Sequence, residues 1–233
     1  MGYEESRIEG RNAVLEAFRS GKTIDKLYVL DGCQDGPVKS ITREARKHDT
    51  IINYVAKERL DQLSETGKHQ GVIAVSAAYE YAEVEDILAA AEEKGEAPFI
   101  IILDGIEDPH NLGAIIRTAN QAGAHGVIIP KRRAVGLTPT VARTSAGAIN
   151  YTPVAKVTNI SNTMKELKDK GMWFVCADMD GTRMYDLDLT GPIGLVIGNE
   201  GEGVSPLVKK NCDMVASIPM KGEIGRASCR ERV

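Results

Sequence analysis

No apolar run in this sequence approaches the roughly 20 residues that a helix needs to cross a bilayer. The opening stretch, MGYEESRIEGRN, is polar and has no signal-peptide core. Neither export nor membrane attachment is therefore expected. Cysteine is scarce: the chain has 233 residues and only four, Cys33, Cys176, Cys212 and Cys229, set far apart. They make no Cys-x-x-Cys pair and no metal-ligand spacing, so no metal site is expected and the cytoplasm is the expected compartment. A phosphate-loop lysine and a Gly-x-Gly-x-x-Gly fingerprint are both missing, which disfavours a nucleotide-binding α/β enzyme. There is no internal repeat and no low-complexity segment. Net charge is −4, which argues against a protein that coats nucleic acid indiscriminately. It does not exclude a local basic face, because net charge hides distribution.

What is present is a globular composition, 42% hydrophobic and 27% charged, with length for one large domain or two small ones. The most informative stretch runs from Phe99 to Pro130, FIIILDGIEDPHNLGAIIRTANQAGAHGVIIP. Ile100 to Leu103 form a continuous apolar run, which suits a parallel strand covered on both faces. Asp104 to His110 breaks the pattern, and Asn111 is placed to cap the helix that follows. Ile115, Ile116 and Ala119 give that helix an apolar side, and Val127 to Ile129 make the next strand. The unit reads as βαβ, so a parallel sheet is expected, with ligands beyond the carboxyl ends of its strands.

Before this stretch, residues 7–20 read as a short lead and a helix. Strands are expected at 27–30, 51–55 and 72–77, with helices from Pro37 to about His48 and from Lys57 to Leu63. Residues 1–78 thus form a small α/β domain. Residues 79–98 read as a linker with a helix, whose stripe is Val84, Ile87, Leu88 and Ala91. The second domain covers 99–223. Beyond Pro130 its further strands are expected at 151–155, 172–177, 193–197 and 214–218, with helices at 159–170 and near 205–211. This is a repeated α/β rhythm.

Three clusters could carry chemistry. The first is Asn111-x-Gly113-x3-Arg117, where the arginine offers a rigid fork of donors suited to phosphate or carboxylate. The second is LVIGNEGEGV, residues 195–204, a buried strand running into a Gly-rich turn with Asn199 and Glu200. Glycine there lets a ligand approach the backbone. The third is ASIPMKGE, residues 216–223. A basic cluster, Lys131, Arg132, Arg133 and Arg143, follows the second strand of the central unit.

The motifs EDPHNLGAIIRTA, SAGA at 145–148, LVIGNEGEGV and IPMKG occur in one order across about 120 residues. Together they resemble the SpoU-type branch of the SPOUT RNA methyltransferases. GRNAVLEA at 10–17 and KHQGVIA at 68–74 resemble that family's substrate-binding domain. The resemblance implies a trefoil-knotted parallel-sheet domain and a homodimer. It implies S-adenosyl-L-methionine as methyl donor and the ribose 2′-hydroxyl of a guanosine in 23S rRNA as acceptor. Carried over by motif, Arg117 acts on the hydroxyl with Asn111 and Glu200. Gly198, Asn199, Gly203, Ile218, Met220 and Gly222 line the cofactor pocket. RNA contacts fall to Lys131, Arg132, Arg133 and Arg143, and in the first domain to Arg11, Lys68, His69 and Gln70. The alternative is a catalytically inactive RNA-binding or ribosome-assembly protein of the same fold. After Gly222 the family pattern continues with a Ser-Leu-Asn signature and an apolar helix. This chain reads EIGRASCRERV, so 224–233 is expected to be a non-family tail that impairs the cofactor pocket and the dimer.

Overall fold

A computed structural model describes residues 7–219. The chain divides into two compact units, Met1–Glu80 with Gly136–Pro139, and Tyr81–Val135 with Thr140–Val233.

In the first unit the elements are β1 (Arg7–Glu9), α1 (Arg11–Arg19), β2 (Ile24–Leu30), α2 (Gly36–Lys47), β3 (Ile51–Val55), α3 (Lys57–Leu63) and β4 (Val72–Ser76). The sheet order is β1-β4-β2-β3. Only β2 and β3 run parallel; β4 is antiparallel to both β1 and β2. Val14 and Phe18 of α1, Ile41 of α2, and Leu27, Val29 and Val72 of the sheet share one core. Helix α2 starts as its sequence dictates. Asp35 accepts a hydrogen bond from the Val38 N–H at 3.1 Å, and Pro37 fills the first turn, where a missing N–H costs nothing. The lead expected at residues 7–9 is instead strand β1, because Arg7, Ile8 and Glu9 pair with Val75, Ala74 and Ile73. From the later sequence, Leu137 returns to this unit and accepts from the Ala78 N–H at 2.9 Å.

The second unit contains α4 (Val84–Lys94), β5 (Phe99–Asp104), α5 (Pro109–Gln121), β6 (Gly126–Pro130), α6 (Pro139–Thr144), β7 (Val154–Val157), α7 (Ile160–Asp169), β8 (Trp173–Arg183), β9 (Ile193–Gly198), α8 (Pro206–Lys210) and β10 (Met214–Ser217). All neighbouring strands are parallel, in the order β10-β8-β9-β5-β6-β7. Alternation along β5 sends Ile100 and Ile102 to one face and Ile101 and Leu103 to the other. All four are at most 1% exposed, as a doubly covered strand requires. On one face they join Ile87 of α4, Met164 and Leu167 of α7, and Phe174 of β8. Gly194 and Gly126 allow this closeness: a Cβ would overlap the Phe174 ring at the first and Ile87 at the second.

Chain order reverses at the centre of this sheet. From β5 the chain moves through β6 to β7, and then crosses to β8 and β9 on the other side. The crevice at such a reversal, beyond the carboxyl ends of β5 and β9, is where open parallel sheets bind ligands.

Three local expectations are corrected. The cap of α5 is Asp108, which accepts from the His110 N–H at 2.8 Å, and Pro109 is the first helical residue. Asn111 is therefore inside the first turn. Strand β7 spans 154–157 rather than 151–155, because Ala148–Asn150 forms a 3-10 turn and leaves Tyr151 at the surface. Strand β8 continues to Arg183 rather than ending near 177, since Ala216 and Ser217 of β10 pair with Thr182 and Arg183.

Candidate active site

The carboxyl ends of β5 and β9 lie side by side, with Asp104 opposite Gly198. Two loops leave from these ends. After β5, Gly105 turns the chain at φ 81°. After β9, residues 199–203 fold back on themselves: the Gly203 N–H donates to the Asn199 carbonyl at 3.2 Å, and Asn199 Oδ1 accepts from the Gly201 and Glu202 N–H groups at 3.0 and 2.6 Å. This turn tolerates no side chain at Gly198, where a Cβ would overlap the Gly203 carbonyl and the Val204 nitrogen. Gly203 itself sits at φ 72°, a region that disfavours other residues. Asp104 fastens the two strand ends together, since its Oδ2 accepts from the Ser205 N–H at 2.8 Å.

The polar heart of the site is one hydrogen bond. Asn111 is 9% exposed in the first turn of α5, and its Nδ2 donates to Glu200 Oε1 at 2.9 Å. Two motifs 89 residues apart thus meet at the sheet reversal. A third loop joins them. The Val135 N–H donates to the Ile106 carbonyl at 2.9 Å, which ties the segment after β6 to the segment after β5. A Cβ on Gly105 would lie 3.4 Å from Asn199 Nδ2 and 4.0 Å from the Arg133 carbonyl. Asn111, Asn199, Glu200 and the backbone of Arg133 therefore border one small region.

Arg117 is not in it. At six residues beyond Asn111 it points roughly 120° away around α5. It lies on the third turn of the helix. Its side chain is exposed, with no hydrogen bond or ion pair among the described residues. Arg132, Arg133 and Arg143 are likewise exposed. Lys131 is half-buried, and its backbone N–H donates to the Val157 carbonyl. Ile218 is 40% exposed just past β10, with β8 between its strand and β9. Met220 and Gly222, and the tail at 224–233, lie outside the described residues.

In the first unit the candidates divide. His69 is buried at 7% exposure; its Nδ1 accepts from the Gly71 N–H at 3.0 Å, which leaves Nε2 as the donor to Asp61 Oδ1 at 3.0 Å. Arg11 pairs with Asp35 at 2.6 Å and donates through Nε to the Gln70 carbonyl at 3.0 Å. The Gln70 side chain in turn accepts from the Arg11 N–H. His69 and Arg11 are thus tied into the loop, while Gln70 stays exposed. The Lys68 side chain is exposed with no partner among the described residues, while its backbone N–H donates to Thr66 Oγ1 at 3.2 Å.

Thr144 has a place that motif reading missed. Its Oγ1 donates to the Pro109 carbonyl at 3.2 Å and fills the space beside Gly113, where a Cβ would overlap it. The signal was a glycine inside a helix, which usually has a packing reason.

This arrangement has close counterparts. A family model described as the SpoU rRNA Methylase family matches residues 98–226. The chain belongs to that family. A second model, described as RNA 2′-O ribose methyltransferase substrate binding, matches residues 7–82. YacO of Bacillus subtilis (strain 168), named for the TrmH family of tRNA/rRNA methyltransferases, is 47% identical over 96% of this chain and 90% of its own. A similarly named protein of Staphylococcus saprophyticus is 46% identical over 95% of this chain and 89% of its own. Among solved structures, the SpoU methyltransferase AviRb from Streptomyces viridochromogenes in complex with AdoMet aligns with a TM-score of 0.59 and 24% identity, over 97% of this chain and 85% of that one. An AdoMet-bound rRNA methyltransferase from Sinorhizobium meliloti gives 0.58 and 22%, over 96% and 82%. At these identities the two structures show the SpoU fold: a parallel-sheet α/β methyltransferase domain preceded by a small α/β domain. No helix among the described residues is long and apolar enough to cross a membrane, and no cluster of metal-binding side chains is found among them.

Proposed function

We propose that this SpoU-family protein methylates the ribose 2′-hydroxyl of a guanosine in 23S rRNA, with S-adenosyl-L-methionine as donor, in the cytoplasm and as a homodimer. The observation that carries the reading is the Asn111–Glu200 hydrogen bond at the sheet reversal, which joins the two catalytic motifs. The donor supplies an electrophilic methyl group that is already activated on its sulfonium, so the reading calls for no metal. The crowded Gly198 and the folded-back turn at 199–203 present backbone to a ligand, which suits a nucleoside-like group, and exposed Ile218 adds apolar surface. Gly198, Asn199, Gly203 and Ile218 would hold the cofactor, with Met220 and Gly222 assigned by motif. A trefoil knot belongs to the same reading.

The chain's own groups divide the remaining work. Arg117 acts electrostatically: its guanidinium binds a phosphate of the RNA and stabilises negative charge on the 2′-oxygen as that oxygen's proton passes to water. Glu200, held by Asn111, orients the acceptor ribose. The homodimer gives Arg117 a site to face, because it turns away from Asn111 and Glu200 of its own chain. Lys131, Arg132, Arg133 and Arg143 meet phosphates, and Lys68 does so in the first unit. The test is transfer of labelled methyl from S-adenosyl-L-methionine to 23S rRNA, with the product nucleotide mapped. A 2′-O-methylguanosine is the expected product. Tight RNA binding without any incorporation would instead establish the non-catalytic alternative.

A further inference from the structure

The first unit carries a cavity of about 550 Å³ that the methyl-transfer reading leaves unused. This lies within the roughly 300–1,000 Å³ of ligand pockets. Its walls are the loop after β2 at residues 31–34, Lys39 and Arg46 on α2, and Tyr54 on β3. Strand β3 is the edge of its sheet. Ile52 of that strand packs into the core shared with α1 and α2. Tyr54, two residues on, therefore stands on the same face, beside α2. It is 52% exposed, so its ring is open to a ligand from the cavity side.

The charges around this ring are sorted. Lys39 and Arg46 lie seven residues apart on one stripe of α2, both exposed and neither in an ion pair among the described residues. Two of the acids nearby are already engaged. Asp35 holds Arg11 and Glu44 holds Lys47 at 2.9 Å; Asp31, in the lining loop, accepts from the Gly32 N–H at 2.9 Å and keeps its charge, which leaves the two cations against one carboxylate. An open aromatic face beside two uncommitted cations is the arrangement on which single-stranded nucleic acid stacks its bases and rests its phosphates.

We infer that this cavity docks one splayed nucleotide from a single-stranded segment of the RNA substrate, with its base on Tyr54 and its phosphates on Lys39 and Arg46. The inference rests on the RNA-methyltransferase reading and adds a strand-reading point between the two motifs of the first unit. A free mononucleotide shares the base and the phosphate, so the test separates the two sources.

The experiment uses the full chain and fluorescence anisotropy with a labelled single-stranded RNA of about 12 nucleotides, its blunt duplex, and guanosine monophosphate as competitor. Tyr54→Ala is expected to weaken single-strand binding by about ten-fold or more and duplex binding by less than about two-fold. Tyr54→Phe, which keeps the ring, is expected to bind as the unaltered chain does. Replacing both Lys39 and Arg46 by Ala is expected to flatten the salt slope for the single strand by about 1.4, at ~0.7 per lost phosphate contact. Unaltered melting temperatures exclude unfolding as the cause. Unchanged single-strand affinity in Tyr54→Ala, with methyl transfer by the parent chain intact, overturns the cavity proposal alone. Guanosine monophosphate binding as tightly as the strand overturns it too. A parent chain that neither methylates nor binds RNA overturns the functional reading and this inference together.

Discussion

In the first unit, the arginine and histidine of the early motifs are tied into the fold; in the second, Arg117 and the arginines of the basic cluster stand in solvent. Arg11 holds Asp35 and the Gln70 carbonyl, and His69 is buried between Gly71 and Asp61. Arg117, Arg132, Arg133 and Arg143 are exposed and have no ion pair among the described residues. These arginines are thus committed inside the fold in one unit and without ion pairs among the described residues in the other.

The comparison is broken most severely at Arg117. Arg117→Ala is expected to lower methyl transfer by at least about 100-fold, as loss of a preorganised electrostatic donor does elsewhere, ~3 kcal/mol. Cofactor affinity is expected to stay within a few-fold, because Arg117 lies away from the Gly198 turn. Turnover near that of the parent chain would remove Arg117 from the site.

Glu9 tests the other side, where polar groups serve the fold. Burial opposes its ionisation, but hydrogen bonds from Ser64, Thr66 and the Glu65 and Thr66 N–H groups outweigh this and lower its pKa from 4.5 to about 2. The sign follows: the ionised carboxylate stabilises the fold above its ordinary pKa, and that contribution is lost as pH falls from 4.5 towards 2. Glu9→Gln is expected to cost about 1–3 kcal/mol at neutral pH, by leaving donors poorly matched. It should also flatten the acid limb of the stability curve between those two pH values. A melting curve with the same acid limb in both proteins would show that Glu9 does not anchor the 64–66 loop.

Arg132 and Arg133, replaced together by Ala, are expected to weaken RNA binding by about 1 kcal/mol each and to reduce the salt slope by about 1 per lost phosphate contact. Cofactor titration should not change. A salt slope equal to that of the parent would mean that the turn after β6 faces solvent in the complex.

Arg11→Ala is the smallest effect. Its pair with Asp35 is part-exposed, with side-chain accessibilities of 32% and 40%, and such pairs contribute at most about 1 kcal/mol. The expected outcome is a slightly lower melting temperature with RNA affinity unchanged. A large loss of RNA affinity at constant stability would return Arg11 to the binding surface.

Much of the second unit was legible because its strands are apolar on both faces and its turns are polar. Ile100 to Leu103 and Val127 to Ile129 could hardly be anything else. The end of β8 was not legible. Residues 179–183 include no large buried side chain, and they are extended because β10 pairs with them. Pairing partners leave no mark on a local pattern. Asn111 was misplaced by one helical turn because Asp108, next to Pro109, is an equally good cap, and the Glu200 side chain that Asn111 bonds lies 89 residues away. The burial of His69 was not legible, because its two partners, Gly71 and Asp61, show no local pattern around it.

The position of β5 also sets a schedule for making this protein. Its partner β6 follows within about 25 residues, but its other partner, β9, lies 94 residues further on, with Leu195 opposite Ile101. At a synthesis rate of about 5–20 residues per second, the most apolar strand of the sheet waits roughly 5–20 seconds with one edge open. During that interval the nascent chain offers unpaired backbone to any passing strand, its own or another's. The same adjacency that brings Asn111 to Glu200 in the finished molecule thus makes the ribosome-bound half-sheet a client for chaperones.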